Sequence, residues 1–154
     1  MFGALDILDK HKVPTVVIGG HAVIVHGYIR ATQDIDIVFA RTAAVELSLT
    51  NALREIDAFW IGKEIDPSTG IEKTYPVDLP YVRGRRLMMV GSKFGYLDLF
   101  DYVPGLPDAS VTELFQDAIW ISGRRFASLA WLRRMKEAAG RPQDLIDLEN
   151  LPSP

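Results

Sequence analysis

Asp34 and Asp36, in the run Asp34-Ile35-Asp36-Ile37-Val38-Phe39, are the side chains here whose type and spacing best suit chemistry. Alternation along a strand sends both carboxylates to one face and Ile35 and Ile37 to the other. Two carboxylates held side by side repel, and both stay ionised only with a cation between them. Hard oxygen donors of this kind suit Mg²⁺ or Mn²⁺. The plainer alternative is a solvated strand end whose aspartates discourage edge pairing. Upstream, Thr15-Val16-Val17-Ile18 is a β-branched apolar run cut off by Gly19-Gly20, which reads as a buried strand ending in a turn. His21 to Gly27 follows as a short apolar helix with a glycine stop. Gly19 and Gly20 would let the backbone approach a phosphate, with amides at the helix start as donors, or they simply make a tight turn. A metal site beside a glycine turn suits phosphate handling.

Together these residues carry a family resemblance. Gly19-Gly20, a helix with Gly27, then Arg30-x-Thr32-x-Asp34-Ile35-Asp36-Ile37 resemble the signature of the polymerase-beta-like nucleotidyltransferase superfamily, and within it the small bacterial branch of AbiEii-type toxin nucleotidyltransferases. The resemblance implies a third acidic ligand on a later neighbouring strand. Asp98, in Gly95-Tyr96-Leu97-Asp98-Leu99-Phe100, matches best, and an unpaired charge in so apolar a strand is costly. Asp78 and Asp101 are weaker matches because they flank turns. Many relatives carry Gly-Ser where this chain has Gly19-Gly20, so a hydroxyl contact to phosphate is lost while backbone contacts remain.

The tail from Leu132 to Asp147 is similar to the Lys…Arg…Asp…Asp pattern that ends many AbiEii-like proteins. It implies that Lys136 faces the triphosphate with Arg141 and Asp144 nearby, while Asp147 orients the basic groups. Read without the resemblance, the same stretch is a solvated helix with Arg133 and Glu137 paired at helical spacing. Arg30 and Thr32 lead into the acidic strand. Arg30 either meets a phosphate or pairs with an aspartate, and Thr32 either joins it or shapes the turn.

The elements that must position these groups follow from periodicity. Phe2, Leu5, Ile7 and Leu8 predict a first helix, and Thr42 caps a predicted helix from Ala43 to Ile56. Phe59 to Ile61 predicts a short strand, and Gly62 to Pro80 an irregular, functional or mobile connection punctuated by prolines. Arg86 to Val90 and Tyr96 to Phe100 predict a hairpin, followed by a short helix near Val111 to Phe115 and a strand at Ala118 to Ile121. Helices from Leu129 to Ala139 and from Pro142 to Leu148 close the chain. The expected architecture is α/β (α+β): a minimal nucleotidyltransferase fold with a mixed twisted sheet, packed helices and a short helical tail, as one domain over residues 1–154.

Composition narrows the function classes. A net charge of −3 gives no global attraction to nucleic acid or anionic membrane, so such contact needs a local patch such as Arg83, Arg85 and Arg86, or Arg124 and Arg125. The absence of cysteine excludes disulfides and thiolate metal sites, and His21 and His26 lack zinc-ligand spacing. No run approaches a membrane span or a signal peptide, which makes a cytoplasmic protein the expectation. The resemblance implies a Mg²⁺-dependent enzyme moving a nucleoside monophosphate from an NTP to a hydroxyl of RNA (tRNA among the candidates) or protein, toxin-like. The alternative is a catalytically silent nucleotide-binding or partner-binding module of a toxin–antitoxin-type system with a cognate partner protein.

Overall fold

In the computed structural model residues 3–153 are described, so the expectation placing Phe2 in the first helix falls outside them. The chain forms α1 (Gly3–Lys10), β1 (Thr15–Ile18), α2 (Gly19–Val25), β2 (Ile35–Phe39), α3 (Ala43–Glu55), β3 (Phe59–Ile65), β4 (Glu72–Pro76), α4 (Leu79–Arg83), β5 (Leu87–Ser92), β6 (Gly95–Phe100), α5 (Val111–Gln116), β7 (Ile119–Ile121), β8 (Arg124–Phe126), α6 (Leu129–Ala139) and α7 (Pro142–Asn150). Among the described residues eight strands join one mixed sheet in the order β4-β3-β5-β6-β2-β1-β8-β7.

At the sheet's centre β1 runs antiparallel to β2, setting Ile18 against Asp36. β2 runs parallel to β6, setting Asp36 against Asp98. Because directly opposed residues project to one face, this register puts both acids on the same side of the sheet. The opposite face carries Val17, Ile35, Ile37, Phe39, Leu97 and Leu99, which pack with α1 and α3 into the main core. On the acidic side Val16, Ile18 and Val38 are covered by Val103, Leu114, Trp131 and Met135. α5 and α6 thus shield the β1–β2 half of that face. Burying this apolar surface at roughly 25 cal/mol per Å² supplies the drive that fixes the register.

Local signals explain most boundaries. Thr42 Oγ1 accepts from Val45 N–H at 3.1 Å at the start of α3, and Ser128 Oγ accepts from Trp131 N–H at 3.3 Å at the start of α6. Gly140 ends α6 at φ +60, a left-handed position where glycine is favoured. Three expectations need correction. Gly62 to Pro80 is largely ordered: β3 continues to Ile65, β4 pairs with it, and Asp78 caps α4 by accepting from Tyr81 N–H at 2.9 Å. The prolines there sit in the β3–β4 turn (Pro67), at the end of β4 (Pro76) and in the first turn of α4 (Pro80), where a missing N–H costs little. Asp34 stands on a bend one residue before β2, not within the strand. Gly19 and Gly20 are the opening residues of α2 rather than a separate turn before it.

A candidate phosphate-handling site around the acidic pair

The glycine step is shaped by the acid opposite it. Gly19 has φ +65, and a Cβ built there would lie 2.1 Å from Asp36 Oδ2. Only glycine lets β1 end directly beneath that carboxylate. Gly20 is held equally closely, since a Cβ would meet Thr32 Oγ1 at 2.5 Å and Arg30 Nη1 at 3.2 Å. The loop carrying Arg30 and Thr32 therefore lies folded against the start of α2.

Asp36 and Asp98 face each other closely enough to share a hydrogen bond. Burial, the adjacent Asp98 and the nearby Asp34 together push Asp36 up to about 7. Burial also raises Asp98, against the hydrogen bond to Asp36, which favours its charged form. Asp34 adds its negative field to both from the bend. Among the described residues no three Asp, Glu, His or Cys side chains stand grouped tightly enough to form a ready-made metal cage. The close pair is thus Asp36 with Asp98, and Asp34 is a neighbour of it. The donor set still fits a hard divalent cation. Two facing carboxylates whose ionisation is opposed by burial and by each other's charge are groups that such an ion would help to ionise.

Helices α6 and α7 bring the basic groups. Lys136 is buried, with Nζ 3.2 Å from Asp144 Oδ1 and 2.9 Å from Asp147 Oδ2. Arg30 clamps Asp147 with two hydrogen bonds, Nε to Oδ1 at 2.8 Å and Nη2 to Oδ2 at 2.9 Å, and Gln143 Nε2 donates to Oδ1 at 2.9 Å. Burial works against ionisation of Asp144 and Asp147, but the Arg141, Lys136 and Arg30 hydrogen bonds outweigh it and hold both below the usual carboxylate range. Asp144 also accepts from Arg141 N–H at 3.0 Å and from Arg141 Nε at 2.7 Å, closing the α6–α7 turn. The Arg141 side chain is 73% exposed and overhangs the cleft. His21 is buried beside this network, where burial and then Arg30 hold its pKa down.

Two clefts meet at the acidic pair. One, of about 600 Å³, is polar and lined by Gly19, Gly20, residues Arg30 to Asp34, Lys136, Arg141 and Gln143. The other, of about 360 Å³, is walled by Ile18, Phe100, Pro104, Leu132, Met135 and Ala139. Both are bordered by Asp36, Asp98, Lys136 and Asp144. A ligand with a charged end and an apolar end fits across them.

Asp34, Asp36, Asp98, Gly19, Gly20, Arg30, Thr32, Lys136, Arg141 and Asp144 line these clefts, and Asp147 braces Arg30 and Lys136. Arg30 pairs with Asp147, and Thr32 Oγ1 lies 3.5 Å from Asp34 O. Asp101 is engaged by Arg41 and Arg86, and Asp78 is the α4 cap, so neither faces Asp36. Arg133 donates to Leu148 O and Pro152 O instead of pairing with Glu137. The surface arginines are spread out: Arg83 lies near Glu46, Arg124 binds Asp6, and Arg125 sits over Trp120 at 4.4 Å. The apolar cleft wall is not apparent from the sequence. Its one signal was the Leu132, Met135 and Ala139 stripe at helical spacing beside Lys136.

The same fold occurs in solved structures. The antibiotic-resistance factor ANT(2'')-Ia has it in solution (TM-score 0.56, 16% identity, 95% of this chain against 77% of that one). So does ANT(2'')-Ia in complex with adenylyl-2''-tobramycin (TM-score 0.54, 16% identity, 95% against 82%). An antigenic nucleotidyltransferase-like protein from Paracoccidioides brasiliensis aligns at TM-score 0.50 and 18% identity, over 95% of this chain and 71% of that one. The chain spans 61% of the length of JHP933 from Helicobacter pylori, another structure it matches. No family model and no curated protein matches the sequence.

Proposed function

We infer that this chain transfers a nucleoside monophosphate from an NTP to a hydroxyl acceptor. The observation that carries the reading is the in-register pair Asp36 and Asp98, set against the Gly19 step and facing Lys136 across one cleft. In this reading Asp36 and Asp98, with Asp34 alongside, hold Mg²⁺ or Mn²⁺. When bound, the cation neutralises triphosphate charge and lowers the pKa of the attacking hydroxyl.

The chain's own groups do the rest. The amides at the start of α2 donate to phosphate oxygens that approach over Gly19 and Gly20. Arg141 and the outer side of Lys136 supply positive charge, while Asp144, Asp147 and Arg30 fix Lys136 in place. The acceptor oxygen forms a bond to the α-phosphorus as the bond to the pyrophosphate oxygen breaks. Asp98 takes the acceptor's proton, and pyrophosphate leaves with the electron pair. The apolar cleft beside Phe100 and Met135 suits the uncharged part of a substrate.

The tail from Lys136 to Asp147 supports the AbiEii-type reading, in which a cytoplasmic toxin modifies tRNA or protein and a cognate partner restrains it. Incubating the protein with each α-³²P-labelled NTP, Mg²⁺ and tRNA, total cell protein or tobramycin tests this. Label is expected on one acceptor class, and Asp36→Asn is expected to abolish it. Equal labelling by Asp36→Asn would refute the assignment.

A further inference from the structure

The sheet contains a gap that leaves part of its ladder open. β5 is paired with β6 along its whole length, Leu87 to Ser92, but meets β3 only where Phe59 opposes Gly91. On its other edge β3 pairs with β4 from Phe59 to Ile61 and again at Ile65, with a register irregularity between Ile61 and Ile65. The directions of the backbone groups follow from alternation. Arg86 O accepts from Asp101 N–H at 3.0 Å on the β6 side, while Lys93 N–H donates to Ile56 O at 3.0 Å on the β3 side. The N–H and C=O of Leu87, Met89 and Gly91 therefore point away from β6. Gly91 meets Phe59, whereas Leu87 and Met89 have no strand partner on that side among the described residues. Val77 N–H donates to Ala58 O at 3.0 Å, so Phe59 and Ile61 turn their own groups toward β5, and those of Ile61 also open into the gap.

The walls of this gap are mostly apolar. The cleft beside it, of about 500 Å³, is bounded by Trp60, Ile61, Tyr81, Leu87 and Met89, with Arg85 and Glu72 as its charged members. Ile61 is 53% and Met89 63% exposed, a high fraction for two large apolar side chains facing one opening. Trp60 is held between Tyr75 and Tyr81 at 4.6 and 5.3 Å, with the Arg85 guanidinium 5.5 Å from its ring, so that wall is rigid. Unpaired backbone groups in series along one strand edge, as at Leu87 and Met89, are satisfied by one kind of ligand, another extended backbone.

We propose that the β3–β5 gap is a strand-addition site for an extended polypeptide segment whose alternate side chains are apolar. The segment hydrogen-bonds to Leu87 and Met89 on one side and reaches Ile61 on the other. Met89 stands directly across from Asp98, so the bound segment lies one strand away from the acidic pair, on the same face. The inference rests on strand pairing and holds whether or not the chain transfers nucleotides.

The probe is a fluorescein-labelled, end-capped eight-residue peptide of alternating valine and threonine, titrated into the full chain by fluorescence anisotropy. The control is the same peptide N-methylated at every second residue, which keeps the side chains and removes donors from one edge. Saturable binding is expected, weakened about tenfold or more by N-methylation, a loss of about 1.4 kcal/mol. Amide hydrogen exchange should show Leu87 and Met89 fast in the free chain, against slow Met88 and Val90, and protected once the peptide is bound. No saturable binding, equal binding of the N-methylated peptide, or Leu87 and Met89 already protected in the free chain would each overturn the proposal.

Discussion

Asp36 is the most pH-sensitive group of the site. Its pKa in the folded chain is raised to about 7 against an ordinary 3.8, first by burial and then by Asp98 and Asp34. Between those values the folded state keeps a proton that the unfolded state has released. The stability of the cation-free chain therefore falls as pH rises from 4 to 7 and levels off above 7. Discounting for partial exposure, the loss is on the order of 2 kcal/mol. Urea unfolding in chelator at pH 5 and pH 8 should show it, and Asp36→Asn should flatten the difference. Asp144 and Asp147, whose pKa values are lowered, contribute in the opposite sense: their stabilisation is present above 3.8 and lost as pH falls below it. Lys136 presents a different balance. Lys136→Met leaves two buried carboxylates short of their shared cation, which should cost about 3–5 kcal/mol. Asp147→Asn keeps the Asp144 contact and should cost less, and the two midpoints in one urea series check the order.

At the scale of elements, the β1–α2 step decides the geometry of the acid. Gly19→Ala would put a methyl onto Asp36 Oδ2 at a positive φ, so either the carboxylate or α2 must move. Thermal unfolding should report a loss of roughly 1–3 kcal/mol, and any nucleotidyl transfer should fall with it. These central elements were legible in the sequence because each carries a local signal. The glycine step, the Thr42 cap and the alternation of β2 and β6 all follow from backbone chemistry. Asp98 is matched to its place through the resemblance, which implies a third acid on a later strand, with the apolar Leu97 and Leu99 around it as support. The β3–β4 ladder was not legible, since its exposed strands alternate no hydrophobic face and its prolines resemble loop punctuation. β8 was hidden for a similar reason: Arg124-Arg125-Phe126 takes its place through pairing with β1 and β7, which is a long-range contact. The Lys136–Asp144–Asp147 network came from resemblance, because helical spacing alone says nothing of which face is buried.

Across the whole molecule, the sheet sets apolar layers on one side and an acidic, lysine-backed cleft on the other. α5 and α6 cover one half of that second face and leave the β3–β5 half open. A divalent cation that binds the folded chain alone must stabilise it, by about 2.7 kcal/mol at a hundredfold excess over Kd. Mn²⁺ should accordingly raise the melting temperature at pH 8, and the gain should be absent in Asp36→Asn and Asp98→Asn. The most direct test follows Mn²⁺ by electron paramagnetic resonance in the presence of a nonhydrolysable NTP. The wild-type chain should quench the free-ion signal stoichiometrically and Asp36→Asn should not. Equal quenching by both proteins, or none by either, would contradict a cation–nucleotide site built on Asp36 and Asp98.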